Sequence, residues 1–404
     1  MKPKIIWKRY IQLSDLVKFS RRIKIDLDQK TKEDIYRKVI NKIGSKRELS
    51  RKVGYGYSNI DNWIKGNQKC IGLDILLRLC GFIDISLDSL SNKITGIKTG
   101  KAGNFLQASF PIDIFKPEFI NLLIHIFGDG TVSLGINKKV YYYNTNIDLV
   151  NKVKKTSEQI FPSGNKYVIS KVYDKGDEIY CPNNRKILAK KAEWGLALPG
   201  IISYIISLHC HSLEEFKRMG IRDLIFQIPN KCIFDAVSAL IEDEGCVRPD
   251  RLIICTTEYL TVANALKIKL QKVGIKSEIN RQKKEIYDLV ISGLKSLKAI
   301  CNSIDNSNQK RKKIIDLIKI VKKTRADYYE VDSEIRKVLK TNKTKKYTAT
   351  EIAWKIKRRR YVVNSALNRL NKNNLIKKAN NQSQKGYFLY SLSNSEREIT
   401  KIKR

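Results

Sequence analysis

The chain has 404 residues, enough for two or three domains and at least one sizeable core. Its 79 Lys and Arg against 40 Asp and Glu leave a formal charge of +39, which argues for a polyanionic partner, with nucleic acid the first choice. A basic membrane-surface protein would carry a basic amphipathic helix or a lipidation motif, and neither is present.

The first seventeen residues have no apolar core of the kind a leader needs, and the longest apolar run, 200–208, falls far short of the ~20 residues of a membrane span. A cytoplasmic, nucleoid-associated protein is therefore expected, with no membrane partner. Eight cysteines without a Cys-x-x-Cys pair indicate neither a disulfide framework nor a zinc knuckle. His209, Cys210, His211 and Cys232 are the only arrangement resembling metal ligands, and nothing at recognised spacing completes it.

Residues 1–104 read as an all-α N-terminal DNA-binding domain and linker. Helices are expected over 32–43 (ended by Gly44), 46–53, 58–65 (ended by Gly66) and from Leu73 to Cys80. Ser45 and Glu48 have capping-box spacing, and Gly54 to Tyr57 forms a tight turn. Short helices around small glycine turns make a helix-turn-helix, and this one resembles the lambda-repressor type. Tyr57, Ser58, Asn59, Asn62 and Lys65 would lie on its recognition helix. An ordinary helical bundle is the competing reading. Residues 91–104 are polar, contain Gly96, Gly100 and Gly103, and read as a linker.

Two stretches in the middle of the chain look like copies of one device. Leu122 to Gly130 and Val237 to Gly245 are apolar helical runs that end in an acid followed by glycine and then turn into strand. A helix C-terminus carries partial negative charge, so Asp129 and Glu244 would be repelled there unless a cation sits close. Gly130 and Gly245 suit the left-handed position that stops a helix. Solvated end-of-helix carboxylates are the plainer alternative, and Glu242 and Asp243 fit it better than the final acids do.

The elements after each motif come in the same order. Beyond Gly130 lie a hairpin (131–134 and 140–144), a helix over 147–160, strands over 167–172 and 178–181, and further strand and helix to Pro229. Beyond Gly245 lie a strand over 251–256, a helix over 258–273 ended by Gly274, strands over 276–282 and 286–292, and a helix from Leu294 to Cys301. The boundaries read as 105–230 for the first repeat and 231–303 for the second. A unit repeated with one special residue in the same place is stronger evidence than either motif alone.

Residues 304–331 read as a charged, partly helical connector. Residues 332–404 look like a winged helix, with helices over 333–340, 351–356 (capped by Thr350) and 361–370, and two strands around a wing at 382–386. Arg358, Arg359 and Arg360 precede the third helix, which carries Asn364, and could clamp phosphates. A helical dimerisation domain is the alternative.

Through its two acid-glycine motifs, the central half of the chain resembles the LAGLIDADG homing endonuclease family in its single-chain, two-repeat form. Ile228-Pro229 and Gly274-Ile275 also sit where family members often have such pairs. The resemblance implies an α+β fold: a pseudo-two-fold domain of two αββαββα repeats whose antiparallel sheets form a saddle on duplex DNA, here flanked by the helix-turn-helix and winged-helix domains. It implies a monomer with internal symmetry and a site-specific endonuclease cutting both strands. Asp129 and Glu244 would be the catalytic acids and metal ligands, helped by the carbonyls of Gly128 and Asp243, with Mg²⁺ or Mn²⁺ as cofactor.

On the saddle, Lys138, Lys139, Tyr141 and Tyr143 would come from the first repeat, and Arg248, Arg251, Asn280, Arg281 and Lys283 from the second. Strand alternation turns only half of each set toward DNA. The basic residue that family members keep near the metals is not assignable; Lys171, Lys283 and Lys284 are the candidates.

The first motif departs from the family. Leu123 and Ile124 replace small residues, and His125 replaces an apolar one. A DNA-binding transcriptional regulator on the same scaffold, no longer cutting, is the alternative function. An RNA-splicing maturase suits the basic surface but not helix-turn-helix modules. An intein is not expected, since no terminal His-Asn pair is present.

Overall fold

The computed structural model describes residues 4–100, 105–134, 139–163, 167–180, 186–283, 285–304, 306, 308, 310–322, 328–341, 346–380 and 388–393. The chain divides into two compact units, Met1–Ala239 and Leu240–Arg404.

The first unit opens with an extended strip. The Ile5 N–H donates to the Asp223 carboxylate, and the Trp7 indole N–H to the Gly220 carbonyl, at 2.8 Å each. Strand β1 (Tyr10–Ile11) then pairs antiparallel with β6 (Ile112–Asp113), and Arg9 forms an ion pair with Asp113 at 3.0 Å. Between them lie β2 (Ile23–Leu27), α1 (Gln29–Ile43), α2 (Lys46–Val53), α3 (Tyr57–Ile64), β3 (Ile71–Gly72), α4 (Leu73–Phe82), β4 (Ile94–Thr99) and β5 (Phe105–Leu106). Leu49, Val53, Ile60, Trp63, Leu76 and Leu79 bury the helices' apolar faces.

This region is not all-α. Strands β3, β2, β4 and β5 form one four-stranded sheet in that order. The stretch expected to be a linker supplies β4, paired with β2 from Ile23↔Thr99 to Leu27↔Ile94. Gly96 signals packing there and not flexibility: a Cβ on it would overlap the Phe105 ring.

The first repeat consists of α5 (Pro117–Asp129), β7 (Gly130–Ser133), β8 (Lys139–Asn144), α6 (Ile147–Ile160), β9 (Ile169–Tyr173), a hairpin of β10 (Glu178–Tyr180) and β11 (Lys186–Leu188), β12 (Glu193–Leu198) and α7 (Gly200–His209). A short helix α8 (Leu213–Glu215) runs through a π-turn into α9 (Ile221–Gln227). Next come α10 (Ile233–Asp243), β13 (Cys246–Val247), β14 (Leu252–Thr257), α11 (Leu260–Lys272), β15 (Glu278–Lys283), β16 (Ile286–Ile291) and α12 (Leu294–Ser303).

The two sheets run β7-β8-β12-β9 and β13-β14-β16-β15, all pairings antiparallel. With the β10–β11 hairpin set aside as an insertion, both have the strand order first, second, fourth, third. The α+β class and the αββαββα order of each repeat are thus present in the structure.

The second unit continues with α13 (Arg311–Lys322), α14 (Tyr328–Thr341), β17 (Tyr347–Thr348), α15 (Ala349–Lys355), α16 (Arg360–Lys372), β18 (Ile376–Asn380) and β19 (Phe388–Leu392). The three strands form a sheet in the order β17-β19-β18, and with the helices they enclose a core that includes Ile335, Ile352, Val363, Leu367 and Leu392. Thr348, not Thr350, caps α15, forming a reciprocal capping box with Glu351. The expected wing, 382–386, lies outside the described residues.

The motif glycines also differ from expectation. Gly130 is extended (φ −97°), and neither it nor Gly245 is among the left-handed glycines. Each is glycine because the chain doubles back against the preceding helical turn. A Cβ on Gly130 would lie 2.5 Å from Ile126 Cα and 2.6 Å from its carbonyl oxygen; on Gly245 it would lie 2.5 Å from the Ile241 oxygen and 2.6 Å from Ile241 Cα. Backbone cannot yield as a side chain can. Gly130→Ala and Gly245→Ala should each cost about 2 kcal/mol or more. Urea unfolding of the single variants checks this, and midpoints unchanged from wild type would refute it.

Candidate metal and nucleic-acid site

Helix α5 is buried from Phe119 to Phe127, except for its half-buried Asn121, so Asp129 emerges at the end of an interior helix. His125 is fully buried and meets the Tyr142 ring edge-on, with centroids 5.6 Å apart. The half-buried Asp129 carboxylate accepts a 2.6 Å hydrogen bond from Asn144 Nδ2, which also lies 3.3 Å from the Tyr142 hydroxyl. Asn144 Oδ1 in turn accepts the Asn146 N–H at 2.8 Å, which fixes the amide's orientation. Asn144 is a positioning residue that the sequence alone presents only as the last residue of a strand. It shares the inward parity of Val140 and Tyr142, and that alternation is the signal that could have found it.

Helix α10 is buried from Ala236 to Glu242, with Asp243 and Glu244 half-buried beyond it. Within the first unit, Asn121 Nδ2 donates to the Asp235 carbonyl, which brings α5 beside the start of α10. At the other end of α10, within the second unit, Lys310 Nζ donates to the carbonyls of Ile241 (2.6 Å), Glu242 (2.8 Å) and Gly245 (2.7 Å). Burial pushes the Lys310 ammonium below its usual range, and Asp243, Cys246, Glu242 and Glu244 pull the other way. Burial, with Glu244 and Asp288 adding to it, pushes the Cys255 thiol up to about 12. Glu244 directly precedes β13, which pairs with β14. Sequence reasoning misses Lys310 because it falls in what reads as a connector.

Carboxylates and main-chain carbonyls form an all-oxygen donor set, which suits a hard divalent ion. Among the described residues no three His, Cys, Asp or Glu come together as a metal cluster. An ion at either motif would therefore rest on one carboxylate, carbonyl oxygens, and water or phosphate oxygens. That is how Mg²⁺ is commonly held beside phosphates.

On the first sheet, Lys139, Tyr141 and Tyr143 alternate with the buried Val140 and Tyr142 and share the outer face. The two tyrosine rings stack at 5.9 Å. Gly195 lets them lie flat, since a Cβ there would come within 3.0 Å of the Tyr143 ring. Lys138 lies outside the described residues. Lys171 forms an ion pair with Asp174 and sits 5.6 Å over the Trp194 ring.

The second sheet splits its set. Asn280 sits opposite Asp288 and Arg281 opposite Tyr287, so alternation sends them to different faces. Arg251 is bound to its neighbour Asp250 at 2.7 Å, and Arg248 closes the same turn through its backbone. Lys283 ends β15, and Lys284 lies outside the described residues.

In the N-terminal region, Tyr57, Ser58, Asn59, Asn62 and Lys65 are exposed along α3, while Ile60 and Trp63 face the core. Lys65 is tied to Asp61 at 2.6 Å, and Lys46 donates to the Tyr57 hydroxyl at 3.3 Å. In the C-terminal region Arg358 does not serve as a phosphate clamp. It is 8% exposed and ion-paired to Glu330 and Glu334 at 3.0 Å each, so its guanidinium is spent inside the domain. Arg359, Arg360 and Asn364 are half-buried around the start of α16.

Comparison with known proteins gives no family profile and no curated protein that matches the chain. Among solved structures, the homing endonuclease I-DmoI in complex with DNA and Mn aligns over 48% of this chain and 98% of its own, at 14% identity and a TM-score of 0.33. The N-terminal LAGLIDADG domain of DUF199/WhiA aligns over 50% and 89%, at 11% identity and 0.30. Full-length DUF199/WhiA from Thermatoga maritima aligns over 64% and 91%, at 12% identity and 0.33. At these values the overlap defines no residue correspondences.

In the His209–Cys210–His211 stretch, His209 is half-buried, Cys210 lies in the interior and His211 is exposed. The His209 ring lies 4.6 Å from Trp7, and its Nδ1 is 3.1 Å from the Ile6 carbonyl; Cys210 is fully buried. Burial pushes His209 down to about 4 from the usual 6.5. The unfolded chain then binds a proton that the folded chain refuses. His209 lowers stability as pH falls from about 6.5 to about 4, and is neutral in its effect above that window. The melting-point advantage of wild type over His209→Phe should therefore shrink as pH falls across that range; a constant gap would refute the assignment.

Proposed function

We propose that this chain is a LAGLIDADG-type, site-specific DNA endonuclease that cuts both strands of duplex DNA with Mg²⁺ or Mn²⁺. The observation that carries the reading is the duplicated turn. Each of two repeats with the same strand order begins on a buried helix that ends in an acid, followed by a glycine whose Cβ would strike the backbone four residues earlier. The charge of +39 supports a polyanionic partner.

In this reading Asp129 and Glu244 each hold an ion at one scissile phosphate, with the carbonyls of Gly128 and Asp243 as further oxygen donors. A bound divalent ion supplies a more acidic water and charge for the leaving oxygen. Asn144 Nδ2 donates to the Asp129 carboxylate and so helps to fix its orientation. Lys139, Tyr141 and Tyr143 on one sheet, and part of the set Arg248, Arg251, Asn280, Arg281 and Lys283 on the other, contact the duplex. Residues 1–104 and 332–404 serve as helix-turn-helix and winged-helix DNA-binding domains, through Tyr57, Asn59, Asn62 and Lys65 at one end and Arg359, Arg360 and Asn364 at the other.

One observation favours the second reading, a non-cleaving DNA-binding regulator on the same scaffold. Lys310 already supplies a cation at the end of the second motif helix. Incubation with a plasmid library and Mg²⁺ separates the two. Sequence-specific double-strand cleavage is expected, falling at least a hundredfold in Asp129→Asn and Glu244→Gln while DNA binding persists. Tight, specific binding with no cutting under Mg²⁺ or Mn²⁺ would establish the regulator instead.

A further inference from the structure

On the second sheet a carboxylate lies beneath a polar face. Around Asp288 the two faces of the sheet differ in burial. Cys255, Thr257 and Leu289 are buried on one side; on the other, Thr256 and Asn280 are half-buried and Gln282 is exposed. Thr256 on β14 and Asn280 on β15 both pair with Asp288 on the middle strand β16, so the three share the open face. Gln282 comes two residues after Asn280 and stands at a bulge. Arg281 pairs with Tyr287 and Lys283 with Ile286, which leaves Gln282 no residue opposite it.

Asp288 is 4% exposed, and its two oxygens serve two neighbours. Thr256 Oγ1 donates to Oδ1 at 2.7 Å, and Gln282 Nε2 donates to Oδ2. A carboxylate accepts and does not donate, so chemistry fixes both orientations. Threonine has one hydroxyl hydrogen, and Asp288 holds it; the Thr256 oxygen is left as an acceptor. The Gln282 amide turns its nitrogen to Asp288, which directs Oε1 away, with one N–H remaining beside it. Unconstrained, either side chain meets donors and acceptors equally well. Held by Asp288, both present an acceptor outward. A buried carboxylate is a costly way to hold two neutral side chains, and on a face offered to phosphates it repels the partner. Orientation is what it supplies in return.

Base edges in the major groove divide by the same rule. Adenine N6 and cytosine N4 donate there, whereas guanine O6 and thymine O4 accept. We propose that Asp288 is a positioning residue that makes Gln282 and Thr256 a reader of base amino groups, so that the second sheet selects adenine or cytosine where it touches a strand and rejects guanine and thymine. This rests on the reading of the repeat sheets as DNA-contacting surfaces. Gln282 is the principal contact, being exposed, and Thr256 the lesser one.

Selection of bound duplexes from a random pool by the full chain, followed by sequencing, tests this. Wild type should show a position where adenine or cytosine on one strand exceeds guanine and thymine by about tenfold, and Q282A should abolish that preference. D288N, whose amide no longer dictates which end of Gln282 faces it, should flatten the same position and leave the others as they are. At that position, a base lacking the amino group (purine for adenine, 2-pyrimidinone for cytosine) should bind wild type about tenfold more weakly and D288N no differently from the natural base. A selected site in which Q282A alters no position would overturn the proposal. So would a Gln282-dependent position that favours guanine or thymine, or one that keeps its preference in D288N; either leaves DNA recognition itself standing. Sequence-blind binding by wild type, or none, would overturn the underlying reading as well. Should D288N not fold, Q282A and the amino-deficient bases decide the matter, because the Gln282 side chain is exposed and its loss spares the core.

Discussion

A carboxylate at the C-terminal end of an apolar helix is electrostatically misplaced. The last carbonyls of the helix already present negative charge, and burial removes the water that would soften it. Both motif helices carry this burden, and much of the surrounding structure can be read as a response to it. At α5 the response is an amide that hydrogen-bonds the acid and is itself locked by the backbone of the next helix. At α10 it is an ammonium, Lys310, that takes three carbonyls of the helix terminus. Arrangements so unfavourable without a counter-charge persist where function requires them.

The duplication is plainer in topology than in side chains. Both sheets share a strand order, both glycines stand against the backbone four residues back, and both second strands end in a side chain that accepts the N–H two residues on, at the start of the following helix. The decorations diverge. The first sheet carries an inserted hairpin and a stacked tyrosine pair, and the second a polar cluster in which Thr256 and Gln282 donate to the buried Asp288.

Local periodicity makes most of the repeats legible. The helix over 147–160 is visible because apolar residues recur there at 3.6, whereas the strand expected over 178–181 belongs to the inserted hairpin and β12 takes its place in the sheet. Tertiary causes are less visible. Gly96 has the look of a linker glycine, yet it makes room for an aromatic ring within a strand. Gly130 and Gly245 stop helices through steric contact and not through a left-handed backbone. Arg358 belongs to a basic run by composition, but its carboxylate partners come from α14, far away in sequence. Lys310 sits in a polar stretch whose importance depends on a helix end that precedes it by some 65 residues. For Arg358 and Lys310 the decisive neighbours lie beyond any local window, and for the glycines they are near in sequence but set by how the chain turns in space.

The pairing of β1 with β6 has a mechanical consequence. Tyr10 and Ile11 lie beside Asp113 and Ile112, so everything from residue 12 to 111 leaves and re-enters through a single closed clasp. A module on one flexible leash samples a wide volume and tolerates varied spacing between its target and its neighbour's. One fastened at both ends, with its entry strand zipped to its exit strand, has little such slack. Helix α3 is thereby held at a fixed offset from the first repeat, with no slack of the kind a single linker would give.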